Sequence, residues 1–235
     1  MFCRMSFRGA LGMSSALAVL ALVGACGLVD PNVTNFDLTL PSKTYSLDTM
    51  QYGSGQVVGA ACGAVPMTCE TLAKNACEGG TCEGACDGGK CTLTVHVSKW
   101  KAVDLVNEKS ELATIQDQPI LDVTVDDITY TVTENSLNIA TPPFKIYVAP
   151  MTVMTPNNTE AKQIGVIPAV APGTTPGPAD VQLGKDGRSI LAMRMGDYRT
   201  PFNIIVAADL VVTPGTPVPT GKITANINVK AHAGL

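Results

Sequence analysis

Ile128-Thr129-Tyr130-Thr131-Val132-Thr133 is the stretch on which the reading of this chain turns. Apolar side chains fall at every second residue, with a threonine between each pair. Successive side chains of an extended strand point to opposite faces, so this segment predicts a strand with one buried and one wet face. The same period recurs on both sides of it. Leu93, Val95 and Val97 alternate with Thr94, His96 and Ser98, and Phe144, Ile146 and Val148 with Lys145, Tyr147 and Ala149. Ile223, Ala225, Ile227 and Val229 alternate with Lys222, Thr224, Asn226 and Asn228 near the end, and Phe36, Leu38 and Leu40 with Asp37 and Thr39 near the start. Ile204 to Val212 is more continuously apolar, as a strand in the middle of a sheet would be. Short helices are predicted near Glu108 to Ile115 and Arg188 to Met195.

Turn-forming residues separate these segments. Ala140-Thr141-Pro142-Pro143 precedes one strand, and Pro168 to Pro178 is a Pro/Gly/Thr loop. Thr213 to Gly221 reads as the loop of a C-terminal hairpin. Several half-buried strands with such spacing predict a mainly β fold: an antiparallel, immunoglobulin-like β-sandwich over residues 35–235, with one or two short helices. Over that range the pattern resembles uncharacterised β-sandwich lipoproteins of Gram-negative bacteria, and faintly the sandwich of a group of plant late-embryogenesis proteins.

Cys62, Cys69, Cys77, Cys82, Cys86 and Cys91 are packed into residues 62–91, a small disulfide-rich insertion spanning residues 60–91. An even count in an exported chain predicts three disulfides, and fifteen pairings are possible. Glu78-Gly79-Gly80 and Asp87-Gly88-Gly89 read as turns. Thr68 to Cys77 is suited to a short helix with Thr68 as its cap. Zinc competes for closely spaced thiolates, but no paired C-x₂-C is present. Covalent links would substitute for a core in so small a segment.

The N-terminus supports export. Arg4 and Arg8 precede an apolar run, Ala10 to Ala25, which ends Leu22-Val23-Gly24-Ala25-Cys26. A basic segment, a short apolar segment and small residues at the cut form a secretory signal, and the run falls short of the ~20 residues a membrane span needs. With cysteine next, it resembles the lipobox of bacterial lipoproteins. The resemblance implies a signal peptide at 1–25, a lipid on Cys26 and a membrane-proximal tether at 26–34. Gly27 in place of Asp implies forwarding to the outer membrane in a diderm envelope. Three acyl chains would hold the protein there durably, since each buried CH₂ contributes ~0.8 kcal/mol.

Composition narrows the partners. Two of the 16 basic side chains leave with the signal, so 14 remain against 20 acidic ones, net −6 over the 210 residues after Ala25. That balance speaks against nucleic acid and against electrostatic binding to anionic headgroups. The membrane partner is reached through the lipid on Cys26.

No catalytic set assembles from the residues. His96 falls on the polar face of a strand, and His232 lies close to the C-terminus. Gly187-Arg188-Ser189-Ile190-Leu191 departs from a nucleophile elbow at its last position. Ser98-Lys99-Trp100-Lys101 matches S-x-x-K, whose chemistry needs Ser and Lys on one helical face, and the Ser-Asp-Asn and Lys-Thr-Gly partners are missing. Asp122, Asp126 and Asp127 cluster without the spacing of a calcium loop. Met151-x-x-Met154 and Met193-x-Met195 have thioether spacings that suit Cu(I), but methionine is also ordinary core filler. The expectation is therefore a non-enzymatic envelope lipoprotein with no metal or other cofactor, binding or scaffolding an envelope or surface partner through its loops. An exported hydrolase or a carrier of a hydrophobic ligand is the alternative; a deep apolar cavity would favour it.

Overall fold

The computed structural model describes residues 36–52, 57–62, 67–77, 81–114 and 122–234, and in it the alternating segments become the strands of two antiparallel sheets. The five-stranded sheet holds β1 (Phe36–Asp37), β2 (Lys43–Asp48), β5 (Asp122–Asn135), β8 (Ala179–Asp180) and β11 (Lys222–Gly234). Its order is β1-β11-β5-β8, with β2 also on β11. The six-stranded sheet runs β3 (Cys82–Asp87), β4 (Lys90–Val103), β10 (Phe202–Val212), β6 (Phe144–Pro150), β7 (Lys162–Ile167), β9 (Gln182–Leu183). Helices α1 (Met67–Ala76), α2 (Leu105–Glu108) and α3 (Gly187–Gly196) and two 3₁₀ turns, Thr49–Gln51 and Ser110–Thr114, complete the described elements.

The period-two faces explain the packing. Leu93, Val95 and Val97 of β4, Ile128, Tyr130 and Val132 of β5, Ile146 and Val148 of β6, and Ile223, Ile227 and Val229 of β11 are all buried in one hydrophobic cluster between the sheets. This is an antiparallel, broadly immunoglobulin-like β-sandwich. β10 lies between β4 and β6, so it is flanked by strands on both edges, and seven consecutive residues from Phe202 to Ala208 are buried. Tyr45 Oη on β2 donates to the Ile204 carbonyl on β10 at 3.1 Å, tying one layer to the other.

β1 and β2 form one edge along β11. Leu38 and Leu40 donate to the carbonyls of Ala231 and Val229 at 2.9 Å each, and pairing resumes at Lys43↔Ile227, one residue out of step. Pro41, which has no N–H to offer the ladder, sits at the slip. At the opposite edge the short β8 and β9 belong to different sheets, and the chain passes between them through buried Val181. α3 packs on β5 and β7, and Arg188 on it donates to the carbonyls of Val125 and Asp126.

Four expectations change. β10 and β11 belong to different sheets, so Thr213 to Gly221 is a crossing between layers and not a hairpin loop. The cystine-rich segment is built into the sandwich: β3 pairs with β4 as the edge of the six-stranded sheet, and Cys69, Cys77, Cys82 and Cys91 lie in the main core. Thr68 falls inside α1, one residue past its start and not at the position before it. The helix expected from Glu108 splits into α2, ending at Glu108, and a 3₁₀ turn at Ser110–Thr114. Asp104 caps α2 by accepting from Asn107 N at 3.1 Å, and the helix begins at Leu105, three residues earlier than expected. Residues 1–35, the turn at 78–80, residue 115 and the side chain of Phe36 lie outside what the structure describes.

Candidate functional site

Strand alternation puts His96, Ser98 and Trp100 of β4 on the outer face of the six-stranded sheet, opposite Asp209, Ala207 and Ile205 of β10. The segment following β6 folds over part of this face. Val153 packs with Ala149 and Ile205, and the fully buried Asn203 side chain donates to the carbonyls of Met151 (3.0 Å) and Val153 (2.9 Å). Between this strap and β4 lies an open cleft of about 500 Å³, lined by Tyr52, Thr81, His96, Ser98, Lys99, Trp100, Met154 and Thr155. Trp100 and Met154, which line it, are exposed. This mixture of aromatic, thioether and hydroxyl surface on a rigid frame suits binding.

His96 does not behave as a free surface residue. Its Nδ1 lies 2.7 Å from Asp209 Oδ1, and its Nε2 lies 3.5 Å from Glu83 Oε2. The bond to Asp209 raises its pKa above the ordinary imidazole value, partial burial opposes that rise, and Glu83 adds to it. A general base needs one ring nitrogen open to the proton it takes. Here Nδ1 is committed to Asp209, and Nε2 is out of contact with solvent and faces Glu83. Ser98 Oγ approaches the Met154 carbonyl at 3.4 Å. The chemistry this arrangement favours is a cation held between two carboxylates, joining β3, β4 and β10 electrostatically.

The other expected groups are placed as follows. Ser98 and Lys101 are three apart on a strand, hence on opposite faces, which removes the S-x-x-K geometry. Asp126 sits at a bulge of β5, where the register with β11 slips, and its Oδ2 lies 2.9 Å from His232 Nδ1. Asp122 and Asp127 pair in the ladder with Gly234 and Lys230. Met195 is fully buried whereas Met193 is 75% exposed, so the two thioethers of α3 diverge. The cysteines pair Cys62–Cys86, Cys69–Cys91 and Cys77–Cys82. Cys26 lies outside the described residues.

Between the sheets an apolar cavity of about 40 Å³ is lined by residues including Tyr45, Val97, Val132, Phe144, Val206 and Ile227. That is room for about a water molecule, far below the ~300 Å³ of small-ligand pockets. Among the described residues no helix is long and apolar enough to cross a membrane. Asp209 and Asn203, which organise the outer face, were not singled out from sequence: their partners, His96 and the strap carbonyls, are 113 and about fifty residues away.

The chain matches no protein-family model and no curated protein.

Proposed function

We propose that this protein is a lipid-anchored lipoprotein of the bacterial cell envelope, held through Cys26, whose β-sandwich acts as a non-enzymatic binding or scaffolding module. The observation that carries the reading is Leu22-Val23-Gly24-Ala25-Cys26 behind a basic and then apolar segment. Three disulfides downstream agree with an oxidising, exported compartment. The tight interior counts against a hydrophobic-ligand carrier, and the engagement of both His96 ring nitrogens by Asp209 and Glu83 counts against a histidine-based hydrolase. Gly27 favours the outer membrane. The partner is then an envelope or surface component that meets the outer-face cleft beside Trp100.

Intact-mass analysis of the protein from bacterial envelopes tests the anchor. The expected species begins at Cys26 and carries its acyl groups, and Cys26→Ala moves the chain to the soluble fraction. A mature N-terminus elsewhere, or a membrane-bound Cys26→Ala protein, overturns the assignment. For the module, crosslinking from Trp100→Cys should capture an envelope component that a Thr216→Cys control, on the crossing loop between the sheets, does not.

A further inference from the structure

Two of the three disulfides abut. Cys62 Sγ, bonded to Cys86, lies 3.6 Å from Cys69 Sγ, which is bonded to Cys91. The sulfurs of Cys62, Cys69 and Cys91 all lie within 4.8 Å of one another. The fourth, Cys86, stands directly opposite Cys91 in the β3–β4 hairpin. Directly paired antiparallel residues have Cα atoms ~4.5–5.5 Å apart, inside the ~4.4–6.8 Å that a disulfide spans. Cys62 and Cys69 are thus neighbours through their sulfurs, and Cys86 and Cys91 through their paired backbone positions, whose spacing admits a bridge once Cys86 is released from Cys62.

Exposure sets the order in which they are reached. Cys86 is exposed and Cys62 half-buried, whereas Cys69 and Cys91 are 1% and 0% exposed. Exchange begins where a thiolate gains access to a sulfur. Cys77 and Cys82 are both buried and bonded to each other, outside this group.

We propose that Cys62, Cys69, Cys86 and Cys91 form a thiol–disulfide exchange site, entered at Cys86 by a small-molecule or protein thiolate, in which the two bridges re-pair as Cys62–Cys69 and Cys86–Cys91. The incoming thiolate attacks Cys86 Sγ, forming a mixed disulfide and expelling Cys62 as the thiolate. Cys62 attacks Cys69 Sγ, forming the first new bridge and expelling the Cys91 thiolate. Cys91 then attacks Cys86 Sγ, closing the second bridge and releasing the incoming thiolate. Two bonds break and two form, no electrons are gained or lost overall, and the thiol acts as catalyst.

The two pairings differ in what they tie together. Cys69–Cys91 links α1 to β4, and Cys62–Cys86 links the segment before α1 to β3. In the alternative pairing each bridge is local, one within the α1 segment and one within the hairpin, so α1 is released from β4 and stays attached through Cys77–Cys82. Tyr52, which lines the cleft, forms an isolated backbone bridge with Cys77 at the end of α1. Exchange thus frees the Cys69 end of α1 from β4 while the Cys77 end, which holds Tyr52, stays tied to β3.

The test incubates the oxidised, detergent-solubilised full protein with reduced glutathione, quenches by alkylation and maps the disulfides without reduction. The expected result is a glutathione adduct on Cys86 at least roughly tenfold over Cys77 or Cys82, followed by Cys62–Cys69 and Cys86–Cys91 peptides with Cys77–Cys82 intact. Circular dichroism on the same sample should remain that of the folded protein. Adducts spread over all six cysteines, dominance of Cys62–Cys91 with Cys69–Cys86, unchanged pairing, or loss of the folded spectrum each overturns the proposal.

Discussion

Tyr45 and Ile204 lie in different sheets, and the tyrosine hydroxyl donates to the isoleucine carbonyl at 3.1 Å across the core. Burial holds the phenol well above its ordinary pKa, so it remains a donor at any pH the protein meets. Tyr45→Phe keeps the ring packing and removes the bond. A buried neutral hydrogen bond contributes about 0.5–1.5 kcal/mol, and urea unfolding should show a loss of that size. An unchanged midpoint would mean that the bond does not couple the layers.

Ile227 is 2% exposed in β11, between Tyr130 of β5 and Lys43 of β2. Ile227→Asp places a carboxylate in the core with no partner. The cost is on the order of 3–5 kcal/mol, a large part of a domain's stability. Far-UV circular dichroism at room temperature should show a largely unfolded population.

Gly84 on β3 lies flush against the backbone of α1: a Cβ there would stand 2.0 Å from the Cys69 carbonyl oxygen. Backbone cannot yield as a side chain can. Gly84→Ala should push α1 off the hairpin and cost about 1–3 kcal/mol, as overpacking does. Thermal unfolding measures the loss, and an unchanged melting temperature would show that α1 is not held against β3 in solution.

The His96–Asp209 pair makes stability depend on pH. Because the folded-state pKa is raised, the pair's contribution is complete below the unfolded imidazole value and is lost as pH rises through the folded one. Both partners are substantially exposed, so the effect is about 0.2–1 kcal/mol. Unfolding free energy should fall by that amount from about pH 5 to about pH 8, and Asp209→Asn should flatten the change. Imidazole NMR titration of the same variant should show a lowered His96 pKa; an unmoved pKa would remove Asp209 as the cause.

The strands were legible because burial of a strand is a local, period-two property. Leu93-Thr94-Val95-His96-Val97 already states which side chains go in, and the core follows it residue for residue. Six cysteines packed into residues 62–91 likewise announced their own oxidation. Pairing over long range was not legible. Nothing within Thr213 to Gly221 distinguishes a return into the same sheet from a crossing to the other, because that choice depends on which edges are already occupied. The bridges chose among fifteen pairings through the docking of α1 on β3, which Gly84 permits. His96 looked like a solvated strand residue until folding brought Asp209 beside it and Glu83 across from it. Local alternation is written in neighbouring residues; partnership across sheets is a property of the packed chain, where contact is made between residues the sequence keeps far apart.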